Sequence, residues 1–117
     1  MPPFQLALFF PSVYTASQTL WFMTFLTPGS ITFTQGSWIS ASSRTTFTSN
    51  TKVFTIFKNG SSIATLTFNA GGNTPTISSL TGSPVSFIPN DNLSITAPPV
   101  ADATGSGLSI TFLGTRA

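Results

Sequence analysis

The chain has 117 residues, enough for one domain, and only six carry charged side chains: Arg44, Lys52, Lys58 and Arg116 against Asp91 and Asp102. An ordinary soluble domain of this length would carry roughly thirty. Histidine, cysteine and glutamate are absent, which removes disulfides, thiolate metal sites and nearly every base that could activate a nucleophile.

Serine and threonine supply 37 residues and phenylalanine 12, while Gly, Pro and Asn recur throughout. Thr, Val, Ile and Phe favour a half-buried pleated backbone, and punctuation about every eight to twelve residues is the rhythm of a sandwich or barrel. Residues 4–10 form the first expected strand, alternating Phe4, Leu6, Leu8 and Phe10 with Gln5, Ala7 and Phe9 until Pro11 stops it. Residues 18–26 follow, apolar on both faces: Leu20, Phe22 and Leu26 on one, Trp21, Met23 and Phe25 on the other. A strand with two apolar faces is covered on both sides, so this strand points to a subunit contact. Thr27-Pro28-Gly29 turns the chain, and further strands are expected at 36–43, 52–57, 62–68, 76–79, 85–88, 93–97 and 108–113. In the last, Leu108, Ile110 and Phe112 point inward, with Ser109 and Thr111 outward. The fold class is all-β, an antiparallel jelly-roll-like β-sandwich of eight to nine strands, one domain over residues 1–117.

The hairpin at Lys58-Asn59-Gly60 is read by parity. A two-residue Asn-Gly loop pairs Lys58 with Ser61 and puts Phe54 and Ile56 on the face of Thr65 and Thr67. A three-residue loop with Gly60 as a left-handed bulge pairs Phe57 with Ser61 and gathers Phe54, Ile56, Ala64, Leu66 and Phe68 on one face. Because a one-residue slip exchanges the faces, the bulged turn is expected. It leaves Val53, Thr55, Phe57, Ile63, Thr65 and Thr67 on the opposite face. Gly71-Gly72 reads as a loose loop, and Gly105 and Gly107 as a bend before the last strand.

Chemistry is scarce. Asp91, in Pro89-Asn90-Asp91-Asn92, and Asp102, in a second loop, form the one carboxylate pair. They read first as turn-forming residues and second as an oxygen-rich calcium site; no catalytic residue, metal site or cofactor is expected. Trp21, Trp38 and Tyr14 could form a sugar-stacking platform, but Trp is more often a core or interface residue. The sequons Asn59-Gly60-Ser61 and Asn92-Leu93-Ser94 matter only in a eukaryotic secretory pathway, and no basic segment leads an apolar stretch as in a signal peptide. The net charge of +2 is dispersed, which argues against nucleic acid as a partner. The apolar window 4–33 is broken by Pro11, Pro28, Gly29 and the polar residues 15–19, so no transmembrane helix is expected.

The run Phe54-Thr55-Ile56-Phe57-Lys58-Asn59-Gly60, then Ile63-Ala64-Thr65-Leu66-Thr67-Phe68 and Val85-Ser86-Phe87, leads into Asp91-Asn92-Leu93-Ser94-Ile95. After it come Ala97-Pro98, Asp102-Ala103-Thr104 and the closing Leu108-Ser109-Ile110-Thr111-Phe112-Leu113-Gly114-Thr115-Arg116. With the opening Leu8-Phe9-Phe10-Pro11 and Thr15-Ala16-Ser17, this order resembles a β-sandwich module of tailed-phage structural proteins, over nearly the whole chain. One departure is Asn90, where the pattern has Gly; Asn tolerates the left-handed backbone too. The resemblance implies a non-enzymatic virion protein, usually trimeric. A tail fibre needs an attachment segment and a shaft, for which 117 residues leave no room, so the expectation is a capsid cement or decoration protein: a homotrimer on the capsid exterior that bridges major capsid protein subunits. Trp21, Met23, Phe25, Phe57 and Ile63 are the expected subunit-contact residues. The alternative is a receptor-binding tail or head fibre tip with a host glycan as partner, and a third reading is a tail-tube or connector component.

Overall fold

A computed structural model describes residues 3–10, 14–25, 30–33, 39–43, 52–69, 71–79, 85–99 and 107–116. Among these, the chain forms ten strands and no helix: β1 (Pro3–Phe10), β2 (Thr19–Thr24), β3 (Ile31–Phe33), β4 (Ile39–Ser43), β5 (Lys52–Lys58), β6 (Ser61–Phe68), β7 (Thr76–Ser79), β8 (Val85–Phe87), β9 (Asn92–Thr96) and β10 (Leu108–Arg116). One sheet runs β1-β10-β3-β8 with β4 also on β10, the other β2-β9-β5-β6-β7. All pairings are antiparallel.

With β4 and β7 set aside, the remaining strands pair first with last, second with second-last and so on inward: β1 with β10, β2 with β9, β3 with β8, β5 with β6. That is one long hairpin rolled up into two layers, the jelly-roll arrangement. The expected class therefore stands, with one strand more than foreseen. The addition is β3, three residues long, which pairs fully with β8 but meets β10 only at Thr115 and Arg116.

Alternation packs the two layers. β3, β8 and β9 bury their apolar residues at every second position, and β10 buries Leu108, Ile110 and Phe112 as expected. The interior is aromatic: Phe25 stacks on Phe87 with centroids 4.7 Å apart, Phe33 meets Phe87 edge-on at 5.7 Å, and Phe54 meets Phe68 at 5.6 Å. Such edge and offset contacts are the arrangements that ring quadrupoles favour. Lys52, opposite Phe68 at the start of β5, is buried as well, at 2% exposure.

The β5–β6 hairpin corrects the expected turn. Lys58 pairs with Ser61 across a two-residue Asn59-Gly60 loop, with φ of 50° and 83°, the positive pair that a type I′ turn requires. Parity is restored deeper in the strand. Phe57 pairs with Ser62 but Ile56 with Ala64, so Ile63 is the extra residue of a bulge. Phe54, Ile56, Ala64, Leu66 and Phe68 do share the buried face, by a bulge at Ile63 instead of one at Gly60. Ile63 is carried inward with them and is 4% exposed.

Candidate subunit-contact surface

The two layers are closed unequally. Eight partly buried apolar side chains pack against the core among the described residues, and six of them, Leu6, Leu8, Phe10, Leu20, Trp21 and Met23, lie on β1 and β2. These strands are the outermost of their respective sheets. The Phe10 and Trp21 rings touch edge to face at 6.2 Å, which places both edges on one flank. There the inward-facing side chains of β1 and β2 form a seam that the chain itself covers only in part.

Sequence explains how β2 contributes so much to it. The register shifts between Thr19 and Trp21, leaving Leu20 as an extra residue. A bulge lets consecutive residues face the same way, and both Leu20 and Trp21 pack on the core. Met23 follows Trp21 on that face, and Phe22 is left outside at 67% exposure. Of the five expected contact residues, Trp21 and Met23 thus lie on the seam. Phe57 is partly buried on the outer face of its sheet, in a row with Phe22 and Ser94. Phe25 and Ile63 are corrections: at 3% and 4% exposure both belong to the chain's own core. Leu6, Leu8, Phe10, Leu20 and Phe22 are not among the five residues expected at the contact.

Edge strands left open usually carry a charge, a proline, a bulge or very few residues, because their free N–H and C=O groups invite pairing. On the far flank, β7 has four residues and follows Pro75, and β8 has three. β1 has eight residues, an unbroken register with β10, and no proline after Pro3. Neither it nor any residue before Arg44 bears a charged side chain. The outer faces are neutral too: Thr19, Thr96, Thr55, Thr65 and Ser78 line up in one rank across all five strands of the second sheet.

The rest of the surface offers little chemistry among the described residues. Asp91 is a turn residue, as expected. Its carboxylate accepts from the Ile88 N–H at 2.9 Å and from the Asn59 amide at 3.0 Å, with Lys58 Nζ 3.8 Å away. The Asn59 side-chain oxygen accepts in turn from the Asn92 N–H at 2.7 Å. The β5–β6 turn is thereby clamped to the β8–β9 turn. The bond from Ile88, then that from Asn59, holds the Asp91 carboxyl below its usual value, with Lys58 adding less. Asn90 takes φ of 78°, so it serves where the resembling pattern has Gly. No group of three or more potential metal ligands occurs among the described residues; Asp102 lies outside them. Tyr14 is buried at 4% and packs edge-on against Phe54 at 5.3 Å, so it is not part of an open sugar platform, and Trp38 lies outside the described residues. No protein-family model matches the chain, and no curated protein matches it.

Proposed function

We propose that this chain is a non-enzymatic structural protein of a bacteriophage virion, a capsid cement protein that assembles as a trimer on the capsid exterior and bridges major capsid subunits. The observation that carries the assembly half of this reading is the half-covered seam of Leu6, Leu8, Phe10, Leu20, Trp21 and Met23 between two uncharged edges. Apolar surface of this kind is favourably removed from water at about 25 cal/mol per Å², and a surface without charges buries none unpaired. The virion half rests on the ordered motifs from Lys58-Asn59-Gly60 to Gly114-Thr115-Arg116, which resemble phage structural sandwiches. A protein of this kind strengthens a shell by adding buried contact area between subunits, and it needs no catalytic group.

Cryo-electron microscopy of the particles whose genome encodes the chain tests the proposal. Threefold density of this jelly roll on the shell is the expected result. Density at a fibre tip would move the assignment to the receptor-binding reading, and absence of the chain from purified particles would overturn both.

A further inference from the structure

We infer that Asn59 is a modification site: an amide open to spontaneous deamidation, which its bonds to the β8–β9 turn hold in check and whose conversion would release that turn. Of the six asparagines, Asn59 is the one followed by glycine. Glycine lacks the side chain that would shield its backbone nitrogen, so the Gly60 nitrogen is the least hindered nucleophile next to any asparagine of this chain. In the reaction that nitrogen attacks the side-chain carbonyl carbon of Asn59. The bond to the amide nitrogen breaks, ammonia leaves with the proton from Gly60, and a cyclic succinimide remains. Water then opens the ring at either carbonyl, leaving aspartate or isoaspartate at position 59. Water is the one co-reactant, and both Asn59 and Gly60 are exposed to it.

The folded chain holds this amide at both ends. Asn59 Nδ2 donates to Asp91 Oδ1 at 3.0 Å, and Asn59 Oδ1 accepts from the Asn92 N–H at 2.7 Å. The Asn59 N–H also donates to the Asn92 carbonyl at 3.0 Å. The support is itself fixed. The Phe25 N–H donates to the Asp91 carbonyl at 2.9 Å and the Asn90 N–H to the Phe25 carbonyl at 2.8 Å, while the Ile88 N–H holds the second carboxylate oxygen of Asp91. Turning the Asn59 carbonyl carbon toward Gly60 breaks both side-chain bonds, and the one to the charged acceptor is the costlier. The nitrogen that must leave is the atom bound to Asp91. After conversion to aspartate, an oxygen with no hydrogen to give stands in its place, 3.0 Å from Asp91 Oδ1, and two carboxylates so close repel. Lys58 Nζ, 3.8 Å from the other Asp91 oxygen, is the one cation beside them among the described residues and offsets one of the two charges. The same contact therefore restrains the reaction and is lost through it.

Mass spectrometry of the proteolytic peptide that contains Asn59 and Gly60 reads the conversion as a gain of one mass unit, after incubation of the whole chain at mildly alkaline pH. The folded parent is expected to convert at least about tenfold more slowly than the same chain in urea. Folded Asp91→Ala is expected to convert about tenfold faster than the folded parent, the rate equivalent of one charge-assisted bond. Lys58→Ala leaves the bonds of Asn59 in place and is expected to keep the parent's rate. Equal rates in folded parent and folded Asp91→Ala would overturn the inference. So would an equal acceleration by Lys58→Ala, which would make general loosening the cause. Should Asp91→Ala not fold, as judged by circular dichroism, Asp91→Asn retains a neutral acceptor and is expected to fall between the parent and the unfolded chain; a rate no faster than the parent's overturns the inference. Asn59→Asp stands in for the aspartate product and tests the consequence. Its urea midpoint is expected below the parent's at neutral pH and to recover in acid, where one proton shared by the two carboxyls restores a bond between them. An unchanged midpoint at neutral pH would overturn the release of the turn.

Discussion

Gly114 has no room for a side chain. A Cβ there would lie 2.6 Å from the Thr32 carbonyl oxygen and 2.8 Å from the Phe33 ring, so the close approach of β3 to β10 depends on its absence. Gly114→Ala is expected to lower stability by about 1–3 kcal/mol, the usual cost of overpacking, read as a shift of the urea midpoint; an unchanged midpoint would contradict that packing. Asp91 gives a pH dependence. Its carboxyl titrates lower in the folded chain than its ordinary value of 3.8, so its contribution is complete above that value and is lost as pH falls through the folded one. The stability difference between the parent chain and Asp91→Asn should be constant at neutral pH and shrink in acid below 3.8; a difference that persists there would mean the clamp does not depend on charge. The role of Asp91 was partly legible in the sequence; that of Gly114 was not. Pro89-Asn90-Asp91-Asn92 announces a turn by composition alone, but that the Asn59 amide of another hairpin completes it depends on tertiary proximity that no local pattern encodes.

At the scale of elements, bulges decide what a period-two pattern cannot. The segregation of Phe54, Ile56, Ala64, Leu66 and Phe68 was readable, because only one parity buries all five. The bulge position was not, since Gly60 and Ile63 restore parity equally well; the two differ in register by two residues, Phe54 facing Leu66 instead of Ala64, and in which way Ile63 points. Ile63→Ala is accordingly expected to cost about 2–5 kcal/mol, as for a core residue, measured by chemical denaturation; a change under about 0.5 kcal/mol, typical of surface sites, would return Ile63 to the outer face. The same effect hid the facing of β2. With apolar residues on both sides, alternation alone could not say that Trp21 and Met23 turn inward while Phe22 stays out, and the bulge at Leu20 sets that choice. β3 escaped notice because three residues, Ile31-Thr32-Phe33, are too short for alternation to register.

For the whole molecule, the decisive feature is unequal closure. The far flank ends in short strands beside Pro75, whereas the near flank ends in β1 and β2, uncharged and lined with half-covered Phe10, Trp21 and Met23. The shortage of charge was visible in the composition, but that β1 and β2, with their half-covered side chains, share one flank becomes visible only once strand order is known. Phe22, 67% exposed beside that flank, separates folding from assembly: Phe22→Ser should leave unfolding within about 0.5 kcal/mol of the parent while weakening self-association, as judged by gel filtration across a dilution series. Equal loss of both would place Phe22 in the fold instead of the contact. The most direct test of the central claim, that this flank is completed by further copies of the chain, is sedimentation equilibrium of the purified protein at micromolar concentration. A single species of three times the chain mass is the predicted result, and a stable, well-behaved monomer would contradict it.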